Sequence, residues 1–476
     1  MEFETVIGLE IHSELKTLTK NFCSCKNEFG SRMNSNVCPV CLGLPGALPV
    51  PNKTAFEYCI KTGLAFNCDI NDMAIFERKN YFYPDLPKAY QISQLEKPIC
   101  LNGAINFEIN GQNRSVRLNR IHLEEDAGKL MHEPMLGMSL VDLNRSSVPL
   151  IEMVTEPDIK SAEEAVKVLE TIKETLKYIN VSDCKMQECS LRCDVNVSLR
   201  EKGSDKFGTR TEMKNLSSFK AVQRAINYEV NRQTKILENG GEIHQETLRW
   251  DDLKGENYPL RSKEENKDYK YFPDPDLIPI KIEREYVERI RKNLPKLPNE
   301  RRKEYIEVLG LPAFDATVLT NSKLISDFFE ASLKLYDNPK KISNFVMSEI
   351  MKLIKLSETE VEEITLSPEN FIKVLKLVDN KEINRTSATT LLENIFFTNE
   401  DANLAAERLN LKISENLEEI KEIIENVIAN NPNAVVDYKS GNERALTFFM
   451  GQVMKASKGK AKPDTVNKML REILSK

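Results

Sequence analysis

Residues 6–15 read VIGLEIHSEL, and their polar and apolar side chains alternate. Successive side chains of a β-strand point to opposite faces, so Leu9 and Ile11 are predicted on one face and Glu10 and His12 on the other. Alternation over this length is typical of a strand that is buried on one side only. The stretch therefore predicts a sheet with one apolar face and one polar face near the start of the chain.

The character of the sequence changes after the proline-rich stretch at residues 271–279 (YFPDPDLIP). Before it, short alternating runs such as residues 192–198 (RCDVNVS) predict strands. Two helices are predicted at 162–179, where Ser161 and Glu164 form a capping box at the start, and at 217–237. Proline withholds a backbone donor and resists helix continuation, so the stretch ends this region. From about residue 286 onward helical periods dominate. We therefore expect an α+β fold, with an antiparallel or mixed sheet followed by helices.

The length and composition indicate a modular globular protein. A chain of 476 residues contains about three domains at roughly 150 residues per domain. Hydrophobic residues make up 41% and charged residues 29%, which excludes disordered, fibrous and membrane classes. We expect domains at 1–292, 293–407 and 408–476. The N-terminus shows no pattern of a secretion or organelle leader, so a cytoplasmic protein is expected.

Glu10 and His12 are the first candidates for chemistry. A carboxylate and an imidazole side by side on one strand face can hold a metal ion. The alternative is a surface glutamate beside a buried histidine that has its own hydrogen bonds. The pair alone does not separate these interpretations.

Further carboxylates occur where a plain strand has no need for them. Glu124, Glu125 and Asp126 are adjacent in residues 120–129 (RIHLEEDAGK), and three neighbouring carboxylates repel one another unless cations hold them. Glu152 lies inside an apolar run, where an acid is costly to bury without a partner. Asp194 lies in the second alternating strand. Together they predict a site that binds cations, and a set of solvated strand edges is the alternative.

Four cysteines have the spacing of a metal site. Cys23 and Cys25 form C-x-C, and Cys38 and Cys41 follow as C-x2-C after twelve residues. Four thiolates satisfy a tetrahedral zinc ion and leave no open position, so the site would be structural. Four free thiols are the alternative. The other cysteines lack such spacing and are predicted to be core or surface thiols.

Other features limit the function. The sequence contains no G-x4-GK[ST] loop, so any ATP would bind outside a P-loop fold. It also contains no arrangement that predicts an amidase or a glutaminase. The net charge is −6, yet residues 455–476 contain seven basic residues against two acids. This basic end predicts a local contact with a polyanion, and a solvated helix face is the alternative.

Several long motifs resemble the B subunits of the aspartyl/glutamyl-tRNA amidotransferases, the GatB/GatE family. They occur in order and cover nearly the whole chain, so a chance match is not a serious rival. The matching stretches are residues 6–15, 78–94 (RKNYFYPDLPKAYQISQ), 122–129, 141–145 (VDLNR), 149–158 (PLIEMVTEPD), 190–198, 214–219 (KNLSSF), 268–279 and 451–463.

The resemblance implies a tRNA-dependent amidotransferase, a carbon–nitrogen ligase with glutamine as amido donor. It implies an ATP-binding cradle, a helical domain and a YqeY-like tail that binds tRNA. ATP would phosphorylate the side-chain carboxylate of Glu-tRNA(Gln) or Asp-tRNA(Asn) before amidation. The implied partners are the family's A subunit, an amidase that releases ammonia from glutamine, and its small C subunit. Together with this chain they would form a heterotrimer.

The resemblance also implies roles for the candidate residues. Expected at the catalytic centre are Glu10, His12, Glu125, Glu152 and Asp194, with Glu124 and Asp126 as substitutes; Glu10, His12, Glu125 and Glu152 would hold Mg²⁺. Phosphate charge would be neutralised by Lys79, Lys88 and Lys214, and tRNA would be bound by Lys455, Lys458 and Lys460. The four cysteines would hold Zn²⁺, although not all family members have them.

Two other functions fit part of the sequence. A non-catalytic tRNA-binding protein would use the cysteine site and the basic tail, but RNA binding gives no reason to gather carboxylates in one cleft. The archaeal glutamine-specific relative typically carries an inserted domain, and the short chain argues against it.

Overall fold

A computed structural model describes residues 2–133, 137–262, 269–356, 364–413, 417–457 and 461–475. The chain divides into two compact units, Met1–Asn299 and Glu300–Lys476. All strands of the described residues lie in the first unit, and the described part of the second unit is helical. The predicted α+β fold, with a sheet region followed by helices, is confirmed.

The first unit is built mainly from strands. Its strands are β1 (Phe3–Glu14), β2 (Asp69–Ile70), β3 (Met73–Ala74), β4 (Glu77–Asn80), β5 (Tyr90–Ser93), β6 (Cys100–Ile109), β7 (Gln112–Glu125), β8 (Lys129–Glu133), β9 (Met138–Asp142), β10 (Pro149–Thr155), β11 (Leu191–Glu201), β12 (Thr211–Lys214), β13 (Glu246–Asp251), β14 (Glu256–Ser262), β15 (Phe272–Pro273) and β16 (Ile280–Lys281). Its helices are α1 (Lys53–Ala65), α2 (Ala162–Tyr178), α3 (Phe219–Glu238) and α4 (Arg284–Lys292), with a 3₁₀ turn at Met186–Glu188.

A nine-stranded sheet forms the centre of this unit, in the order β14-β13-β12-β11-β1-β10-β7-β6-β2. The strand predicted from the opening motif, β1, lies in the middle and pairs antiparallel with β11 and β10. Strands β12 and β13 run parallel, so the sheet is mixed. Three small sheets accompany it: β15-β4-β5, β16-β3 and β8-β9.

The apolar face of the sheet is covered by helices. Leu9 and Ile11 of β1 are buried in one core together with residues of α2 and α3. Helix α2 begins where the sequence predicts, since the Ser161 hydroxyl accepts a hydrogen bond of 3.1 Å from the Glu164 backbone N–H. Its buried residues repeat at helical spacing and include Ile172. This packing leaves the opposite face of the sheet for the polar side chains.

The described residues of the second unit form two separate apolar cores. One is formed by residues between Tyr305 and Ala406, and the other by residues between Ile420 and Leu474. The finer division of the chain at 292/293 and 407/408 stays a prediction. The helices are α5 (Pro298–Glu307), α6 (Ala313–Thr320), α7 (Lys323–Leu335), α8 (Pro339–Phe345), α9 (Met351–Leu356), α10 (Pro368–Asp379), α11 (Arg385–Ile395), α12 (Ala402–Arg408), α13 (Leu417–Ala429), α14 (Pro432–Lys439), α15 (Arg444–Ala456) and α16 (Pro463–Leu474), with a π-helical turn at Val346–Ile350.

A helix that spans a bilayer needs about 20 mostly apolar residues. Within the described ranges, no helix is both long enough and apolar enough to cross a membrane.

Candidate active site

Strand register places four of the predicted residues, Glu10, His12, Glu152 and Asp194, on one face of the central sheet. Across β1 and β11, Glu10 lies opposite Asp194. Across β1 and β10, His12 lies opposite Glu152, and Glu152 in turn lies opposite His122 of β7. Residues directly opposite in neighbouring strands project from the same face. Four strands that are distant in sequence therefore contribute to one polar surface.

Five of these side chains meet at the centre of the face; we call Glu10, His12, His122, Glu124 and Glu152 the acid cluster. The Nε2 atom of His12 lies 3.4 Å from Oε2 of Glu152, 3.5 Å from Oε1 of Glu124 and 3.8 Å from Oε1 of Glu10. The Nε2 atom of His122 lies 3.4 Å from Oε2 of Glu152 and 3.7 Å from Oε2 of Glu124. The ligand atoms of Glu10, His12 and Glu152 lie within 4.8 Å of one another, as do those of His122, Glu124 and Glu152.

His122, Glu124 and Glu152 are buried, Glu10 and His12 are half-buried, and their charges act strongly on one another. Burial alone would lower the pKa of His12, but the hydrogen bond and charge of Glu152, with the charge of Glu124, raise that pKa to about 9. Burial opposes ionisation of Glu152, yet the neighbouring His122 and His12 hold its pKa well below the usual range. Burial and the Glu152 charge raise the pKa of Glu10. The cluster thus contains one carboxyl group with a raised pKa, Glu10, and one with a lowered pKa, Glu152.

Two of the predicted lysines flank this cluster. Burial would lower the pKa of Lys79, but the charges of Glu124 and Glu152 raise it. On the other side, Lys214 forms ion pairs with Asp194 and with Glu212, the latter at 2.9 Å. Cations at both sides of a carboxylate group are suited to an anionic ligand that enters between them.

Glu125, the last residue of β7, pairs with Lys88 outside the acid cluster. The Glu125 carboxylate forms an ion pair with Lys88 and accepts a hydrogen bond of 2.9 Å from the backbone N–H of Ile92. Its other oxygen is buried and has no hydrogen-bond partner among the described residues. Among these residues, the structure does not bring Glu125 into either group of close ligand atoms, because it follows Glu124 on the strand and points the other way.

Asp126, the other substitute, belongs to a neighbouring charge network. Arg192 donates a hydrogen bond of 2.7 Å to the Asp126 carboxylate, and Nε of Arg145 lies 3.5 Å from the same oxygen. Burial and the charge of Asp126 raise the pKa of Glu14 to about 8. The network therefore closes the end of the polar face with paired charges.

The four cysteines converge as their spacing predicts. Their sulfur atoms all lie within 4.8 Å of one another, and the sulfurs of Cys38 and Cys41 are 3.9 Å apart. Lys20 is fully buried, and its Nζ atom lies 3.8 Å from the Cys41 sulfur. The hydrogen bond from Cys23, with the nearby Lys20 charge, lowers the pKa of the Cys41 thiol to about 5 against the opposing effect of burial.

The segment around the four cysteines contacts β7, the strand that carries Glu124 of the acid cluster. The side-chain amide of Asn21 donates a hydrogen bond of 2.9 Å to the backbone oxygen of Glu124. Gly43 has a φ of +66°, and a Cβ there would lie 2.4 Å from Cγ of Lys88. Only glycine fits this close approach without displacing Lys88. The loop thus supports the end of β7 and the Lys88 side chain.

The remaining predicted residues concern RNA. Lys455 lies exposed on α15, and Lys458 and Lys460 lie outside the described residues.

Three residues of these sites, His122, Lys20 and Arg192, were not predicted from the sequence. His122 repeats the i, i+2 pairing of imidazole and carboxylate seen at Glu10 and His12, so the signal was present in the motif. The roles of Lys20 and Arg192 had no such signal, since their partners are distant in sequence.

Comparisons with known proteins show the family of the chain. Residues 5–288 match the family model of the GatB/GatE catalytic domain, and residues 327–474 match that of the GatB domain. The chain is 52% identical to the aspartyl/glutamyl-tRNA(Asn/Gln) amidotransferase B subunit of Thermoanaerobacter pseudethanolicus over the full length of both chains. The proteins of the same name from Caldicellulosiruptor bescii and Persephonella marina are 52% and 48% identical, again over the full length of both chains. The chain belongs to the family of aspartyl/glutamyl-tRNA(Asn/Gln) amidotransferase B subunits.

Proposed function

We propose that this chain uses ATP to activate the side-chain carboxylate of Glu-tRNA(Gln) or Asp-tRNA(Asn) for amidation. The observation that carries the proposal is the acid cluster, which lies between Lys79 and Lys214 inside the match to the family's catalytic domain. A buried group of carboxylates beside lysines suits a nucleotide with its cation. The relatives' names contain the same two aminoacyl-tRNAs, aspartyl-tRNA(Asn) and glutamyl-tRNA(Gln).

The reaction needs activation because a carboxylate is a poor acyl donor to ammonia. In the first step a carboxylate oxygen of the substrate attacks the γ-phosphorus of ATP, and the bond from that phosphorus to ADP breaks. In the second step ammonia attacks the acyl carbon, the bond to the phosphate oxygen breaks, and inorganic phosphate leaves. Catalysis of such a transfer rests on positioning and on charge neutralisation.

The acid cluster fits a hard divalent cation through its carboxylates. Glu10, Glu124 and Glu152 would hold Mg²⁺, with His12 as the imidazole at their centre. When bound, the ion would neutralise the negative charge that phosphoryl transfer concentrates on oxygen. Glu125 would have to leave Lys88 in order to join these ligands. Nδ1 of His122 is buried without a hydrogen-bond partner among the described residues, so this side chain retains capacity for a further contact.

The lysines would bind the phosphates from two sides. Lys79 and Lys214 each lie next to carboxylates, so a cation at the cluster would release part of their charge for the nucleotide. Lys88 pairs with Glu125 on the other side of β7. We assign Lys88 to phosphate binding only in a state in which that pair opens.

The four cysteines fit a structural zinc ion. Four sulfurs in mutual proximity match a tetrahedral thiolate shell, and the buried Lys20 offsets part of its negative charge. This site would stabilise the loop that supports β7 and would not take part in the reaction.

We also propose the partner subunits of this chain and the cellular compartment in which the reaction occurs. The amidase partner, the family's A subunit, would hydrolyse glutamine and supply ammonia, and the small C subunit would complete the heterotrimer. The basic end of the chain, with Lys455, Lys458 and Lys460, would contact tRNA. A reaction on aminoacyl-tRNA belongs in the cytoplasm.

Formation of ADP by the assembled amidotransferase tests the proposal. We expect ADP formation that requires both Mg²⁺ and charged tRNA, and that falls at least about a hundredfold in Glu152→Gln. Glu108→Gln removes an exposed carboxylate from β6 of the same sheet and serves as the matched control. A folded complex that binds tRNA but forms no ADP would instead support the non-catalytic alternative.

A further inference from the structure

The strand that carries Lys79, β4, makes its side-chain hydrogen bonds to a distant segment through the residues on either side of Lys79. Side chains alternate along β4, so Arg78 and Asn80 point away from Lys79. Lys79 lies opposite Gln91 of β5, whose side-chain amide donates a hydrogen bond of 2.6 Å to the backbone oxygen of Glu125, next to Glu124 of the acid cluster. The charges of Glu124 and Glu152 act on Lys79. The position of its ammonium group therefore depends on how firmly β4 is fixed.

Arg78 fixes β4 to a segment almost two hundred residues away in sequence; we call Arg78, Asp274 and Asp276 the arginine clamp. Nε and Nη2 of Arg78 donate hydrogen bonds of 2.9 and 3.3 Å to the two oxygens of Asp274. Nη2 also donates one of 2.9 Å to Asp276. The guanidinium carbon lies 4.1 Å from the ring centroid of Tyr90. The Asp274 side chain is fully buried, so this ion pair is shielded from water.

The clamped segment carries one of the two aromatic rings beside Lys79, and the other, Tyr81, follows β4 directly. Nζ of Lys79 lies 5.0 Å from the ring centroid of Tyr269, which packs edge-on against Tyr81 at 5.9 Å. The Asn80 backbone N–H donates a hydrogen bond of 2.9 Å to the backbone oxygen of Tyr269. The Asn80 side-chain amide donates one of 2.8 Å to the backbone oxygen of Lys270. The clamp and Asn80 thus join the rings and Lys79 into one assembly.

We propose that Arg78 is a positioning residue for phosphate binding, acting through Lys79. Its planar fork matches a carboxylate in two places at once, which a flexible lysine cannot reproduce. The clamp keeps β4 and the Tyr269 segment together, so that the Lys79 ammonium stays at the acid cluster. This inference rests on the proposed function, because it presumes that a nucleotide phosphate binds there.

A double-mutant cycle separates this role from a merely structural one. The measurement is the dissociation constant of a non-hydrolysable ATP analogue with Mg²⁺, by equilibrium dialysis on the assembled amidotransferase. Arg78→Lys retains the charge beside Asp274 but loses the fork. We expect binding weakened about tenfold by Arg78→Lys in the wild-type background and less than about twofold in the Lys79→Met background, because the two residues act together.

Arg117→Lys is the matched control. Arg117 forms a second two-point fork, with Asp158 at 2.8 and 2.7 Å, but it is exposed. We expect analogue binding to be unchanged in this variant. Asp276→Asn is the milder clamp variant if Arg78→Lys does not fold. We expect it to raise the dissociation constant of the analogue about threefold, again only when Lys79 is present.

The outcomes distinguish the two levels of the argument. An equal loss in both backgrounds, or no loss from either clamp variant, overturns the role of Arg78 and leaves the proposed function standing. A folded wild-type complex that does not bind the analogue overturns the proposed function and this inference with it.

Discussion

Removing half of the cysteine site with Cys38→Ser/Cys41→Ser should destabilise the first unit measurably. If the four thiolates hold one zinc ion, the ion links the two halves of the loop and restricts the unfolded chain as a disulfide does. The loop from Cys23 to Cys41 contains 19 residues. Closing a loop of this length contributes about 3 kcal/mol in the chain-entropy model.

The expected shift in melting temperature follows from the size of the unit. One kcal/mol corresponds to roughly 2 °C for a unit of about 300 residues, so the double variant should melt about 6 °C lower. Because Asn21 connects the loop to the backbone of Glu124, the acid cluster should loosen as well. Part of the loss should therefore be seen as weaker nucleotide binding.

Differential scanning calorimetry and zinc analysis by atomic absorption provide the assay. The purified wild-type protein should contain about one zinc per chain, and the double variant should contain none. Cys189→Ser removes an exposed thiol outside the cluster and is the control. A wild-type protein free of zinc, or a double variant that melts at the wild-type temperature, would refute the reasoning.

Three further substitutions test the core, a helix cap and the site. Ile172→Ala should lower the free energy of unfolding by about 3 kcal/mol, because the Ile172 side chain is fully buried under the sheet. Denaturant titration measures this change, and a value below about 1 kcal/mol would contradict tight packing at Ile172. Ser161→Ala should lower it by about 1 kcal/mol in the same titration, because the backbone N–H of Glu164 loses its cap; no change would show that this cap does not stabilise α2. Lys214→Met should raise the KM for ATP about tenfold in a variant that remains folded. Steady-state kinetics measures the KM, and an unaltered KM would remove Lys214 from the phosphate site.

Local patterns predicted the elements that depend on nearby residues. The alternation of residues 6–15 predicted β1, and the cap at Ser161 predicted the start of α2. The four cysteines were predicted to converge because a metal site constrains their spacing. Periodicity and capping act over a few residues, so they can be seen in a single sequence.

Pairings between distant segments could not be predicted in the same way. That Glu152 lies between His12 and His122 depends on the register of three strands. The pairing of Arg78 with Asp274 joins residues 196 positions apart, and no local pattern marks it. Adjacent acids also conceal their directions, since Glu124 joins the cluster while Glu125 pairs with Lys88. Tertiary structure decides such contacts.

Transfer of oxygen from the substrate carboxylate to phosphate would show whether the carboxylate attacks ATP. The assembled amidotransferase would receive Glu-tRNA(Gln) with ¹⁸O in the side-chain carboxylate, together with ATP, Mg²⁺ and glutamine, and the released phosphate would be examined by mass spectrometry. Attack of the carboxylate on the γ-phosphorus predicts inorganic phosphate that carries one ¹⁸O atom, with formation abolished in Glu152→Gln. Amidated tRNA formed together with phosphate that contains no ¹⁸O would contradict the account.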